Sequence, residues 1–516
     1  MSDGDTAYEG LIKEHEARKA HVLAMGGKEK LSKRKAASLL DARERIERLF
    51  DPGSFTETGM FVTSHLPSMR DKSPADGKVC GFGRIDGRNA AIVSCDLTVL
   101  GASSSPNNVK KMGHIRRVAT KNGMPVIFLN ETSGARIPDT MGAQGIGALG
   151  QDPTQFLRDR QSPYVSACLG PSFGTGTWYT MLSDFVVMRK GACLAVSSPR
   201  VTSLAIGEDV DPEELGGWRL HTEKTGLVDY AVDTDEEALD LIKTFLSYLP
   251  SHAGQRPPRT EAPDNSRIDP EIILEIVPPQ RQKVYDVRKL IKAVADPDTV
   301  LELKPKFARV ATTALARMNG QVVGFVASNP MFKAGALDPD GCDKITSFLV
   351  LCDSFNIPII ILCDTPGFLI GIEGERRKAP GKIMNFQTAL QMCTVPKFSI
   401  VTRKSYGQAY LNMGGTRNSD EMGAWFTADV GFMDPVIGIN VVYGVTQKND
   451  PEKFSKLKAE LDRETSAYDL AAINSTQAVI DPRETRDWLL RMLEIHSRDL
   501  EGGLSQRRLA SWPTTF

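Results

Sequence analysis

The sequence lacks most features that would assign it quickly to a specialised class. No window approaches the roughly 20 apolar residues that a bilayer span requires. The opening MSDGDTAYEGLIKEHEARKAH carries acids where a secretory leader has an apolar core. Cys-x-x-Cys pairs are absent: the eight cysteines are scattered from Cys80 to Cys393, which excludes a zinc ribbon and a disulfide framework. Several lie inside apolar runs, as Cys363 does in IPIIILCDTPG, where a cysteine is a small buried hydrophobe. A reducing, cytoplasmic compartment is the expectation. Neither sign of charge dominates, with 63 Lys plus Arg against 64 Asp plus Glu and a net charge of -1. Such a balance gives no overall basic field for nucleic acid or an anionic membrane. None of the seven histidines stands at metal-ligand spacing from a Cys, Asp or Glu, so no catalytic metal is expected. No G-x-x-x-x-G-K-[ST] loop occurs. Cys363-Asp364-Thr365-Pro366-Gly367, for all its likeness to D-x-x-G, therefore has no phosphate-holding companion.

What remains is a long chain of ordinary globular composition. It has 516 residues, 41% of them hydrophobic and 25% charged, enough for two large domains. Residues 8–50 are rich in Ala, Glu, Lys, Arg and Leu and are expected to be helical, with a break at Gly26-Gly27 and a stop at Asp51-Pro52-Gly53. Strands are predicted at Ala90–Ser94 and Val126–Leu129, separated by a helix over Asn108–Thr120. That alternation argues for an α/β fold. HAGQRPPRTEAPDNSRIDP, residues 252–270, carries four prolines and no large apolar run, the composition of an exposed connector. The expected division is a domain over 1–255, a linker over 256–270 and a second domain over 271–516.

The two halves repeat. Gly83-Arg84-Ile85-Asp86-Gly87 corresponds to Ala316-Arg317-Met318-Asn319-Gly320, 233 residues later. The stretch from Pro125 to Gly134, PVIFLNETSG, corresponds at the same offset to Pro358–Gly367, PIIILCDTPG, and Gly174 to Gly407. Three matches in one register point to two copies of one fold. The runs VIFL and IIIL suit strands covered on both faces. Each leads into an acid, a Thr and a Gly at its carboxyl end, where open α/β sheets bind ligands. Two similar sites, or one site built from both copies, follow.

Cys168-Leu169-Gly170-Pro171-Ser172-Phe173-Gly174-Thr175-Gly176-Thr177 is the densest run of special residues. Gly170-Pro171-Ser172-Phe173-Gly174 fits the G-x-S-x-G nucleophile elbow, with Ser172 attacking. Its second copy, Lys404-Ser405-Tyr406-Gly407-Gln408-Ala409-Tyr410, argues otherwise, because a hydrolase needs one nucleophile with its His and acid. The candidates His221, His252 and Asp209 assemble only loosely into such a set. Paired backbone loops offering amide N–H groups to oxyanions are the better reading. Glu131 and Asp364 are expected to cap a following helix or hold the turn. Lys110-Lys111 and Lys344, at corresponding places in the repeat, are expected to lie on solvated helix faces, with phosphate binding as the alternative. Glu375-Arg376-Arg377-Lys378 suits either an anionic group or a surface ion-pair network.

Taken with ARERIERLFDPGSF, GRIDGR, NETSGARI, GPSFGTGTWYTMLSDF, GEDVDPEELGGWRLHTEKTGLVD, ARMNGQVVGFVASNP, CDSFNIPIIILCDTPGF, TRKSYGQAY and AVIDPRETRDWL, these segments resemble the carboxyltransferase (β) subunits of biotin-dependent acyl-CoA carboxylases, of the propionyl-CoA and methylcrotonyl-CoA type. The likeness runs from about residue 40 to about 495. It implies two tandem crotonase-like (ClpP/crotonase) ββα-superhelix domains, the first binding acyl-CoA and the second carboxybiotin. It also implies an active site between the first domain of one subunit and the second of another, in a hexamer built as a trimer of dimers. The implied reaction moves CO₂ from carboxybiotin to the α (or vinylogous) carbon of an acyl-CoA through an enolate. By position, the backbone amides of Gly174 and Thr175 would serve the thioester oxygen, and those of Gln408 and Ala409 the biotin ureido oxygen. Ser133, Gly134, Ala135, Arg136, Gly176 and Leu411 would line the acyl-CoA side; Thr365, Pro366, Gly367, Phe368, Tyr406 and Gly407 the biotin side.

The chain departs from that family's pattern. Thr175 and Gln408 stand where glycine is usual, Leu411 where many short-chain enzymes have Asp, and Met433-Asp434-Pro435-Val436-Ile437-Gly438 replaces a Gly/Ala-rich helix start. A substituted or unusual acyl group is the resulting expectation. No Ala-Met-Lys-Met-like biotin attachment site is present, so biotin is expected on a separate biotin carboxylase or carrier subunit. The alternatives are a decarboxylase of the same fold, a biotin-independent hydratase or thioesterase with Glu131 or Asp364 as base, and a scaffold subunit without turnover.

Overall fold

The computed structural model describes residues 3–150, 156–264 and 268–513, with side chains from residue 8. The N-terminal helical stretch resolves into three helices, Asp3–Leu23, Lys28–Ala36 and Ala42–Leu49. The last is opened by a capping box in which Asp41 and Glu44 satisfy each other's backbone amides. Beyond it the chain separates into two units, Met1–Ala253 and Gly254–Phe516. The proline-rich connector belongs to the second: Thr260 N donates to Gly320 O at 3.0 Å, and the Arg317 guanidinium donates to Pro258 O at 2.7 Å.

Each unit is an eight-stranded sheet of one design. In the first the strands are β1 (Thr56–Glu57), β2 (Lys78–Ile85), β3 (Arg88–Cys95), β4 (Val126–Thr132), β5 (Tyr164–Phe173), β6 (Phe185–Arg189), β7 (Cys193–Ala195) and β8 (Tyr230–Val232). Their order is β1-β2-β3-β4-β5-β6-β8, with β7 branching from β5. In the second they are β9 (Leu301–Leu303), β10 (Ala311–Met318), β11 (Gln321–Ser328), β12 (Ile359–Thr365), β13 (Lys397–Tyr406), β14 (Glu421–Trp425), β15 (Asp429–Gly431) and β16 (Ala478–Ile480). Their order is β16-β14-β13-β12-β11-β10-β9, with β15 branching from β13. An antiparallel hairpin, β2–β3 or β10–β11, opens each sheet. The pairs β3–β4, β4–β5, β11–β12 and β12–β13 are parallel. Every residue of β4 and β12 is buried, as expected of strands covered on both faces.

The duplication extends to the crossovers. Helix Pro106–Lys121 joins β3 to β4 and helix Pro339–Ser354 joins β11 to β12. Both begin with Pro at the first position, where its missing N–H costs nothing, behind the side-chain caps Ser105 and Asp338. β5 and β13 each serve two partners along one edge, which creates the site. Val165–Cys168 pairs with β6 and Pro171–Phe173 with β7; Phe398–Val401 pairs with β14 and Lys404–Tyr406 with β15. The sheet splits there, and the chain leaves the split at Gly174 and Gly407.

Candidate active site

Both cradle glycines adopt backbone that side chains resist: φ 57°, ψ −119° at Gly174 and φ 60°, ψ −146° at Gly407. Their own amides are used by the sheet. Gly174 N donates to Val196 O at 3.1 Å and Gly407 N to Gly431 O at 3.0 Å. This corrects one expectation. Gly174 is not an oxyanion donor; it is the residue that lets the chain turn there. The next two amides, Thr175 and Gly176 in the first unit and Gln408 and Ala409 in the second, start short helices, Thr175–Met181 and Gln408–Asn412. First-turn N–H groups have no intrahelical acceptor, and these four have no partner among the described residues. A Cβ built on Gly174 meets nothing within 4 Å, so space in front of that turn is open.

A strap crosses each cradle. In the first unit Ser133–Arg136 runs beside Ser104, whose N donates to Gly134 O at 2.8 Å while Ser104 O accepts from Arg136 N at 2.8 Å. In the second, Leu337 N donates to Gly367 O at 3.1 Å and Leu337 O accepts from Leu369 N at 2.8 Å. Strap and cradle come together: a Cβ on Gly134 lies 3.9 Å from Phe173 Cβ, and one on Gly367 lies 3.9 Å from Tyr406 O. Ser133, Ala135 and Pro366 are exposed, and Gly367 and Phe368 are half-buried. Leu411, half-buried, sits three residues beyond Gln408 on its helix. The exposed Gln408 side chain is tied to Asn412 Oδ1 at 3.0 Å.

Other expected site residues prove to be braces. The buried Arg136 guanidinium bonds Asp76, Ser103 Oγ and Ser103 O and is spent inside the protein. The Thr365 hydroxyl donates to Gly335 O at 2.8 Å and accepts from Gly367 N at 3.2 Å, so it holds the turn, as Thr132 does through Ala102 O at 2.8 Å. Tyr406, 1% exposed, donates its hydroxyl to Asp429 Oδ2 at 2.8 Å and is no wall for biotin. Lys111 and Lys344 are buried. Their ammonium groups donate to Ala75 O and Lys78 O, and to Lys304 O and Phe307 O, at 2.6–3.1 Å, which removes the phosphate-binding alternative. Lys110 is exposed. Arg377 of the basic cluster forms an ion pair with Asp340.

The strand-end acids also differ from expectation. Neither caps a helix. Glu131, 2% exposed, lies on β4 between two arginines, with Arg34 at 3.0 Å and Arg45 at 2.9 Å; Arg45 also holds the buried Asp235 at 2.8 Å. Asp364, 1% exposed, accepts from Arg403 Nε at 2.8 Å and pairs with Lys404 Nζ at 3.1 Å. The copies solve one problem differently. Gly170 occupies the place of Arg403 in the first copy, and a Cβ there would come within 2.4 Å of Glu131 Oε1. The glycine makes room for the longer acid, whose cations arrive from the N-terminal helices. Buried and occupied by these cations, both carboxylates are out of a substrate's reach, so neither acid serves as a general base.

Burial also disposes of the nucleophile elbow and of the strand cysteines. Ser172 is fully buried on β5, and His221 is engaged with Leu194 O at 2.8 Å and Thr225 Oγ1 at 3.1 Å. Burial pushes the Cys168 and Cys363 thiols up to about 12, far from thiolate at neutral pH. Among the described residues no three His, Cys, Asp or Glu side chains gather to hold a metal ion. Sequence reasoning missed Asn130, whose amide donates to Gly176 O at 2.5 Å and to Thr180 Oγ1 at 2.7 Å, bracing the first cradle helix. It also missed Arg45. That residue shares the buried face of its helix with Ala42, Ile46 and Leu49, and an arginine on an apolar stripe is a readable sign of a buried partner.

Comparison with known proteins decides the family. Residues 34–507 match the carboxyl transferase domain. The chain belongs to the carboxyl transferase family. This carboxyl transferase is 34% identical over 502 residues to the propionyl-CoA carboxylase carboxyltransferase subunit of Haloferax mediterranei, covering 94% of this chain and 96% of that one. It is 31% identical over 480 residues to the methylmalonyl-CoA decarboxylase subunit alpha of Veillonella parvula, covering 92% and 93%. Its fold is similar to that of transcarboxylase 12S, a hexamer solved with methylmalonyl-CoA and methylmalonic acid bound, with a TM-score of 0.88, 31% identity and coverage of 95% and 96%. The two sheets are thus the tandem crotonase-like domains of an acyl-CoA carboxylase carboxyltransferase component, an enzyme.

Proposed function

We propose that this carboxyltransferase holds an acyl-CoA at its first cradle and biotin, carried by a partner protein, at its second, and moves a carboxyl group between them. One observation carries the reading: the turn is built twice, each time with the glycine amide used by the sheet and the next two amides unpartnered. The open space at Gly174 and the neutral, rigid donors at Gln408 and Ala409 suit planar carbonyl oxygens that gain negative charge. Carboxybiotin supplies the CO₂ and, once that is released, a ureido nitrogen able to take the α-proton. The chain's own task is electrostatic. The Thr175 and Gly176 amides bond the thioester oxygen as the enolate forms, and the Gln408 and Ala409 amides bond the ureido oxygen. Each preorganised donor of this kind is worth about 2.7–4 kcal/mol in the transition state. The same donors lower the barrier in both directions, so carboxylation and decarboxylation use one geometry.

Apolar side chains flank both cradles at corresponding places. Val196, Val201, Leu204 and Ile206 are exposed in and before helix Pro199–Ile206, and Phe432, Ile437, Val441 and Val442 in and before helix Pro435–Tyr443. Surfaces of this kind mark association. With the hexameric transcarboxylase 12S as precedent, they support a homo-oligomer in which the first unit of one subunit faces the second unit of another. The test is carboxyl transfer from malonyl- and methylmalonyl-CoA to free biocytin by the purified chain, and from carboxybiotin to a panel of acyl-CoAs differing in tail length and branching. Biocytin-dependent turnover is expected. Turnover of a CoA thioester without biocytin, or none with any member of the panel, overturns the reading.

A further inference from the structure

The two cradles share a backbone but not their supports. In the first, Asn130 on β4 reaches across to Gly176 O and Thr180 Oγ1 and ties the cradle helix to the sheet. A Cβ on Gly176 would come within 2.4 Å of Thr132 Cγ2, so the helix lies tightly against that strand. Around the branch strand this copy is apolar: Phe173, Cys193 and Ala195 form a buried cluster with Leu215 against it.

In the second copy the residue matching Asn130 is Cys363, whose thiol faces Ser405 Oγ at 3.2 Å and makes no bond to the cradle helix. The support lies on the other side of the turn. Tyr406 replaces Phe173, and Asp429 stands at the β15 position of Cys193, opposite the residue two before the last of the long strand. The Tyr406 hydroxyl donates to Asp429 Oδ2 at 2.8 Å, and Arg281 donates to Asp429 Oδ2 and, at 3.1 Å, to the Tyr406 hydroxyl oxygen. Arg281 is itself fixed. Its carbonyl accepts from Lys404 Nζ at 3.0 Å, and the carbonyls of Pro278 and Gln280 accept from Arg403 at 2.9 and 2.8 Å. Burial and the adjacent Asp429 carboxylate push the Tyr406 phenol above its ordinary value, so it stays a donor. Two residues past Asp429, Gly431 O takes the Gly407 amide.

We propose that Arg281 is a positioning residue for the biotin cradle, clamping Asp429 and Tyr406 together so that β15 presents Gly431 O to Gly407 and leaves the Gln408 and Ala409 amides rigidly aimed at the ureido oxygen. The proposal rests on reading the second turn as the biotin site. Its chemical sense lies in the asymmetry. A group delivered on a partner protein must be received and released at each turnover, and a preorganised pair of donors avoids the ordering cost at each arrival.

The test uses the full chain with Tyr406→Phe, which installs the first copy's residue and removes one hydroxyl, Arg281→Met, and Arg281→Lys as the conservative rescue. Amide hydrogen exchange reads the clamp directly, and biocytin-dependent decarboxylation of methylmalonyl-CoA reads its consequence. Tyr406→Phe and Arg281→Met are expected to speed exchange of the Gly407 amide about tenfold, while the Gly174 amide keeps its rate. The KM for biocytin is expected to rise about tenfold with the affinity for CoA unchanged, and Arg281→Lys to recover most of both effects. Unchanged Gly407 exchange in both variants overturns the clamp even where transfer is impaired. Faster exchange with an altered CoA affinity and an unaltered biocytin KM overturns the assignment of the clamp to biotin. A wild-type chain that ignores biocytin refutes the proposed function itself, and the exchange data then reduce the three residues to a structural brace, which also overturns the proposal.

Discussion

Replacing Gly174 by alanine separates the turn from the chemistry it positions. At φ 57°, ψ −119° an L side chain is strained by about 1–3 kcal/mol. No clash adds to this, because the new Cβ meets nothing within 4 Å. The chain sheds the strain by rotating the peptide that joins residues 174 and 175, and that peptide carries the Thr175 N–H. Losing one oxyanion donor costs about 2.7–4 kcal/mol, or 10²–10³ in kcat. The expected result is a fall in kcat of about a hundredfold or more in transfer from methylmalonyl-CoA to biocytin. CoA affinity by calorimetry should be unchanged, and the melting temperature should drop by a few degrees. Gly53→Ala is the control: its glycine has φ 69° and equally open space, so it too places an L side chain at positive φ, with no amide at the site, and should keep full kcat. A Gly174→Ala enzyme with kcat within threefold of wild type would refute the assignment of the donors.

Glu131→Gln removes the charge between Arg34 and Arg45 and is expected to cost about 3–5 kcal/mol of stability, as breaking a buried pair does; calorimetric melting checks it, and a variant that melts like wild type but lacks turnover would restore Glu131 as a base. Lys111→Met leaves the Ala75 and Lys78 carbonyls without their charged donor and should cost about 1–3 kcal/mol, with CoA affinity unchanged by calorimetry. Burial holds the His221 imidazole below its ordinary value. The unfolded ring takes its proton at about 6.5 and the folded ring only at lower pH, so the unfolded chain binds more protons below about 6.5. The stability present above that pH is therefore lost as the pH falls through the folded value. Urea midpoints at pH 7.5 and 5.5 should differ less in His221→Gln than in wild type; an equal difference in both would contradict the burial effect.

Much of the architecture was legible in the linear chain because it depends on local chemistry. Apolar runs longer than a half-buried strand needs marked β4 and β12, the stretch Asn108–Thr120 marked the first crossover helix, and the constant offset of 233 residues exposed the duplication. Gly174 and Gly407 were recognisable as special for the same reason, since only glycine sits easily at their dihedral angles. What each polar side chain does was decided by tertiary packing. Lys111 and Lys344 read as solvated lysines until the fold turned them onto buried carbonyls. Arg136, Thr365 and Tyr406 read as ligand contacts and became braces, because burial obliges a polar group to find a partner inside the protein. The same demand drew Arg45 to Glu131 across 86 residues of chain and Arg281 to Asp429 across 148. Linear spacing carries no record of such pairings, for the free energy that selects them arises only after water has been excluded.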